Sequence, residues 1–245
     1  MDEKNADGCV RTRELCFIGI DESAVAEKLS GLSESVRHAA VAVSQGKLLL
    51  TATAESREDA ELLLASAERE VRDHLGEYIY GTDGATPEAT VLTLLRQRGL
   101  TLSAAESCTG GLVAKRLTDI PGASDSFVGG VVVYTEAIKC RLLGLEQRFI
   151  DEHGVVSAAV ADKLARRVRK KLRSDLGVGI TGWAGPGGED VGLVYVALAW
   201  KNSDGNTMSC VRRLTLGDRG REQVRTAAAD TALDMVRRYL SGMEI

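Results

Sequence analysis

The sequence predicts an α/β protein in two parts: a layered α/β domain with a central sheet flanked by helices, preceded by a small split β-α-β-β-α-β domain. Three observations predict it. Apolar residues fill 44% of the 245 positions, enough for a sizeable core. Up to residue 80, apolar runs and helical-period stretches follow one another in the order β-α-β-β-α-β. From residue 87 onward strands alternate with helices, the pattern of a layered sheet.

Each element has its own reason. Residues 1–13 read as a ragged lead-in, 14–82 as the small domain and 83–245 as the larger one. Leu15 to Ile20 is a short apolar strand, and Asp21-Glu22-Ser23 opens a helix running to about Leu32. Val36 to Val43 and Leu48 to Ala54 read as strands across a Gln45-Gly46 turn. Ser56 caps a longer helix on which Ala60, Leu63, Leu64, Ala67, Val71 and Leu75 keep the helical period, and Gly76 stops it. Tyr78 to Tyr80 is the last strand, and Gly81 to Thr86 the linker.

In the larger domain, Pro87 to Arg98 is a helix leading into a strand that spans Gly99 to Ala105. Val128 to Tyr134, almost all Val and Gly, reads as a strand buried on both faces. Ser157 to Arg173 is a helix with Val160, Leu164, Val168 and Leu172 on one stripe. Its seven Lys/Arg from Lys163 to Arg173 invite a nucleic-acid reading, but no aromatic or glycine loop accompanies them, and a solvated face is the plainer account. Leu176 to Thr181, Val191 to Trp200 and Met208 to Leu216 read as strands, and Glu222 to Leu240 as a closing helix.

Chemistry concentrates at Ala104-Ala105-Glu106-Ser107-Cys108-Thr109-Gly110-Gly111, between a strand and the helix that starts near Leu112. Glycines there let backbone approach a ligand, and the first helical N–H groups favour an anion or a developing oxyanion. Ser107 is either a nucleophile or a helix cap, as is usual for Ser or Thr at such a point. A serine nucleophile needs a base, and Lys139 can serve if burial lowers its pKa. Tyr134, five residues earlier, can relay the proton or hold the lysine. Taken singly, Lys139 also reads as an exposed helix lysine and Tyr134 as a strand-end aromatic. Cys108, with none of His38, His74 or His153 beside it in sequence, reads as a buried filler.

Composition narrows the partners. Residues 1–98 carry 11 Lys/Arg against 18 Asp/Glu, and residues 99–245 carry 20 against 17. The second part therefore suits a small anionic substrate, and a 4% aromatic content leaves few stacking platforms for nucleic acid. Five scattered cysteines without a CxxC pair fit a reducing, cytoplasmic setting. No apolar run reaches the ~20 residues of a membrane span, and the polar, acidic Met1 to Gly8 is not expected to be a signal peptide. No HExxH and no phosphate-binding GxxxxGK[ST] is present, so no metal or organic cofactor is expected.

Five ordered blocks carry a resemblance. They are AESCTGG; PGAS at Pro121 to Ser124; Tyr134-Thr-Glu-Ala-Ile-Lys139 with LLG at Leu142 to Gly144; Gly154-Val-Val-Ser157; and Thr181-Gly-Trp-Ala-Gly-Pro186. This series resembles the C-terminal domain of the CinA family, whose members include nicotinamide-nucleotide amidohydrolases of the PncC type. The small domain is similar to the KH-like middle domain of full-length members, whose larger N-terminal domain has no counterpart in these residues. Its only literal GXXG, Gly81-Thr-Asp-Gly84, carries an acidic residue, so a structural or interfacial role is expected rather than RNA binding.

The resemblance implies deamidation of nicotinamide mononucleotide to nicotinate mononucleotide and ammonia, and a homodimer or higher homo-oligomer. It places the nucleophile at Ser107, with Lys139 and Tyr134 as base and relay. Thr109, Gly110 and Gly111 become the anion-binding helix start. Thr181 and Gly182 begin a second turn, through Gly185 and Gly187, that can close over the substrate. Arg221 is the expected phosphate ligand and Arg219 the alternative. Trp183 stands where a small aliphatic residue is usual, and Asp190 where a basic one is common, which bears on substrate identity. The alternative is a catalytically silent CinA-like binding or regulatory module. It predicts Lys139 pointing to solvent, away from Ser107.

Overall fold

The first strand, β1 (Cys9–Phe17), begins six residues before the expected one, inside the stretch read as lead-in. Charge hides it: Arg11, Thr12, Arg13 and Glu14 are all polar or charged, so no apolar run starts before Leu15. Arg13 turns to helix α2 (Arg57–Leu75), where its Nη1 lies 2.7 Å from Glu68 Oε2 and its Nη2 3.2 Å from Glu61 Oε2. Arg11 and Arg13, two residues apart, share one face of the strand, and the helix that covers it supplies their charged partners.

The computed structural model describes residues 9–30, 39–44, 46–185 and 190–245. It divides into two compact units, residues 1–90 and 91–245. In the first, β1 is followed by α1 (Glu22–Leu29), β2 (Ala39–Ser44), β3 (Lys47–Ala54), α2 and β4 (Ile79–Thr82). The strands form an antiparallel sheet of order β2-β3-β1-β4, and the element order is the expected β-α-β-β-α-β. Parts of three expected features (residues 31–32 of the first helix, 36–38 of the second strand and Gln45) lie outside the described residues. Asp21 and Ser56 cap their helices through side-chain oxygens, accepting from the N–H groups of Ala24 and Asp59. Leu15, Leu48, Leu50, Leu64, Val71 and Leu75 are fully buried between sheet and helices. The Gly81–Gly84 turn is tied back to β1: Asp83 Oδ1 accepts from the Glu14 N–H at 3.0 Å.

The second unit, whose core starts in helix α3 (Pro87–Arg98), holds a mixed sheet of order β6-β5-β7-β8-β9. Its strands are β5 (Leu102–Glu106), β6 (Phe127–Val132), β7 (Leu176–Gly182), β8 (Leu193–Lys201) and β9 (Thr207–Thr215). β5 runs parallel to both its neighbours, β6 and β7, and the β7-β8-β9 ladder is antiparallel. Helices α4 (Leu112–Thr118) and α8 (Arg221–Leu240) pack on one face with α3. Helices α5 (Glu136–Leu143), α6 (Gln147–His153) and α7 (Ala158–Leu172) pack on the other. α5 and α6 were not expected as separate elements.

Two packing details correct the sequence reading. β6 is an edge strand, not one buried on both faces: Val128 and Val132 are 48% and 47% exposed. The basic helix α7 is not merely solvated. Arg166 holds Asp162 and reaches Thr207 O and Ser209 Oγ on β9, Arg169 donates to Thr207 Oγ1, and Lys163 lies over the Phe149 ring. α7 comes this close because β7 carries glycine where it crosses. A Cβ on Gly177 or Gly179 would run into the α7 backbone at Ala165 and Ala161.

Candidate active site

β5 lies between β6 and β7, and all three run parallel, so their carboxyl ends converge on one crevice. Ser107 is the first residue beyond β5. Its backbone is pinned on both sides: Ser107 N donates to Ile180 O on β7, and Val133 N donates to Glu106 O. A cavity of about 320 Å³ opens there, within the usual range for a small-molecule site. Ser107, Lys139, Tyr134, Glu136, Thr181, Trp183, Gly185 and Arg221 are on its walls.

At its base Lys139 Nζ lies 3.0 Å from Ser107 Oγ and 3.0 Å from Val133 O. Lys139 is 1% exposed and Ser107 6%. Thr135 caps α5 by accepting from the Ile138 N–H, and the lysine sits one turn in on the buried face of that short helix. Burial away from water disfavours its charged form and lowers its pKa from the usual lysine value, while Glu136 opposes the shift weakly. The exposed-lysine alternative is thereby removed.

Neither Ser107 nor Thr109 caps α4. The N-cap position is Gly111, in the left-handed region at φ 94° and with no side-chain cap of its own. The missing cap comes from Glu106, the last residue of β5, which is 1% exposed. Its Oε2 accepts from Gly111 N at 3.0 Å and Val113 N at 3.1 Å, and its Oε1 from Ala114 N at 2.9 Å. The anion at this helix start is therefore the chain's own carboxylate.

That corrects the expectation for Thr109, Gly110 and Gly111 as an anion site for substrate. Gly110 N donates to Ser107 O, Gly111 N to Glu106, and none of the three is on the cavity wall. Instead they hold the turn in place. Thr109 O accepts from Arg225 Nε at 3.0 Å and Nη2 at 2.6 Å, clamping the turn to α8. Cys108 is the expected filler: burial pushes its thiol up to about 11, so it stays protonated.

The remaining expected residues lie on the wall. Thr181 is buried, and its hydroxyl donates to Val155 O at 2.8 Å. Gly182 has no room for a Cβ beside Val194 and Leu193 O. Gly185 accommodates Arg221: a Cβ there would stand about 3 Å from its guanidinium. Arg221 Nη1 lies 3.4 Å from the Tyr134 hydroxyl, whereas Arg219 is not on the wall. Tyr134, 57% exposed, thus meets the arginine, and the place expected for it beside Lys139 is taken by the Val133 carbonyl. Gly187 lies outside the described residues. Among the described residues no group of three or more His, Cys, Asp or Glu is gathered as for a metal ion. No helix among them is long and apolar enough to cross a membrane.

Sequence reasoning missed Glu106 as the cap of α4, and Arg225 as the clamp. The available signal for the first was an acidic residue at a strand end, five to eight residues before unpaired helical N–H groups.

Comparison with known proteins follows the same division of the chain. Residues 84–240 match the family described as CinA C-terminal domain, and residues 12–81 the Damage-inducible protein CinA KH domain. A competence-damage inducible protein of Caldanaerobacter subterraneus is 41% identical over 242 residues, covering 96% of this chain and 57% of that protein. A CinA-like protein of Kosmotoga olearia is 38% identical, covering 94% of this chain and 56% of its own length. The chain thus spans little more than half the length of these relatives. Among solved structures, the competence/damage inducible protein CihA from Agrobacterium tumefaciens superposes with a TM-score of 0.58 at 36% identity, covering 63% of this chain and 93% of that one. A CinA superfamily protein from Klebsiella pneumoniae gives 0.57 at 28% identity, over 64% and 96%.

Proposed function

Since the chain belongs to the CinA family, we propose that its second unit is an amidohydrolase that deamidates a pyridine mononucleotide, nicotinamide mononucleotide in the first instance. The observation that carries this reading is the 3.0 Å contact between Nζ of the fully buried Lys139 and Ser107 Oγ, on the wall of a cavity of substrate size. Burial disfavours the charged form of Lys139, the direction that suits it to act as the base a serine nucleophile needs.

In the proposed reaction neutral Lys139 takes the Ser107 proton as Oγ attacks the carboxamide carbon. The tetrahedral oxyanion forms beside a lysine that has just become cationic, which favours it. Lys139 then returns the proton to the departing ammonia, leaving an ester on Ser107. Water, deprotonated by the same lysine, hydrolyses that ester to the carboxylate. Val133 O and Ser107 Oγ fix the lysine through the cycle. Glu106 and Arg225 hold the serine's turn and act as positioning residues. Arg221, with Tyr134 against it, is the cation offered to the phosphate. Tyr134 serves at that end of the cavity rather than as a relay.

The test is ammonia release from nicotinamide mononucleotide, its riboside and the dinucleotide, with and without chelator. The reaction should survive chelator and vanish in Ser107→Ala. A folded wild-type protein that releases no ammonia from any of the three contradicts the proposal.

A further inference from the structure

The cavity wall is electrically uneven. Arg221 lies on it, and so do the indole-bearing Trp183, the phenol of Tyr134 and the carboxylate-bearing Glu136. Trp183 stands out because packing does not account for it. Among the described residues, the buried apolar clusters of this unit take in its neighbour Ala184 and leave Trp183 out. It remains partly exposed at the cavity. Its backbone, by contrast, is fixed: Trp183 N donates to Leu193 O at 2.9 Å, and Trp183 O accepts from Gly192 N at 2.8 Å. A large apolar ring is thus presented to a cavity from a rigid strand end, next to a glycine, Gly182, that the packing against Val194 requires.

An indole face is the most effective aromatic partner for a cation, and a carboxylate on the same cavity wall acts in the same direction. At the base of the site, burial disfavours the protonated form of Lys139, which lessens rather than adds opposing charge there. Resting on the pyridine-nucleotide reading above, we propose that Trp183 selects for ring charge. It favours a cationic pyridinium over a neutral ring of the same shape, with Glu136 supporting it and Arg221 left to the anionic end of the ligand.

The experiment uses the full chain carrying Ser107→Ala, so that ligand is not consumed. Calorimetric titration compares nicotinamide mononucleotide with its 1,4-dihydro form, whose ring differs by one hydride and carries no charge. The oxidised form should bind more tightly. Adding Trp183→Leu should weaken the oxidised form by about 3- to 30-fold, the span of cation–π contacts from exposed to desolvated, and leave the reduced form almost unchanged. Trp183→Phe, which keeps an aromatic face, should fall between. Equal weakening of both forms would mean that the indole only fills space, and would overturn the inference. So would no weakening of either, no preference in the Ser107→Ala protein, or no binding at all. The amidohydrolase reading stands or falls separately, on ammonia release by the wild type. A silent wild type that still prefers the oxidised ring, and loses that preference in Trp183→Leu, would sink the reaction and leave the selection standing.

Discussion

Replacing Lys139 by Met keeps most of the side-chain stem and removes the amine, so it separates the two roles proposed for the buried lysine. The first is proton transfer. Loss of a general base should lower kcat by about 10²- to 10⁴-fold with little change in KM. The second is a pH-dependent contribution to stability. Lysine in the unfolded chain holds its proton up to about 10.5, whereas the buried amine releases it at lower pH. Between those two values the unfolded chain binds more protons than the folded one, so wild-type stability rises with pH, by up to about 1.4 kcal/mol for each pH unit of that window. Below the folded pKa the lysine contributes no slope. Lys139→Met lacks the group altogether, and the other titrating groups cancel in the comparison. Urea midpoints of both proteins from about pH 7 to 10 are the assay, and the wild type should gain on the variant as pH rises. kcat/KM should climb through the same range. Lys139→Arg, charged at every accessible pH, should not recover at high pH. A variant within tenfold of wild-type kcat, or a stability difference flat in pH, would refute the reasoning.

Arg221→Ala should raise KM for the mononucleotide, lowering kcat/KM by about ten- to a hundred-fold, and leave the riboside that lacks the phosphate nearly unaffected. Equal effects on the two substrates would remove Arg221 as the phosphate ligand. Glu106→Ala strips the acceptor from three helical N–H groups and should cost about 3 kcal/mol or more in urea unfolding, with Glu106→Gln, which keeps one acceptor oxygen, losing less. Gly179→Ala forces a Cβ into the α7 backbone, and a loss of about 1–3 kcal/mol should appear in the same unfolding measurement.

Much of the fold was legible because it rests on patterns that sequence displays directly: a capped helix at Ser56, apolar stripes such as that of Val160, Leu164, Val168 and Leu172, and short runs bounded by glycine. Ser107 and Lys139 were legible as a pair only through the ordered blocks around them, since each alone has an ordinary structural explanation. What escaped was decided by neighbours distant in the chain. β1 looked like a ragged start because Arg11 and Arg13 break its apolar character, yet their partners lie some fifty residues away on α2. The valines of β6 suggested burial on both faces, but position at the sheet edge leaves alternate ones in water. The glycines after Ser107 resemble an anion site in isolation. They are not one here because Glu106, from the strand side of the turn, reaches the helix start first.

The most direct measurement of the central claim is ammonia release from nicotinamide mononucleotide by the purified chain, beside Ser107→Ala of matched unfolding midpoint. The Lys139–Ser107 arrangement predicts turnover in the wild type, undiminished by chelator, and none in the variant. Ammonia released equally by both proteins, or by neither, would contradict it.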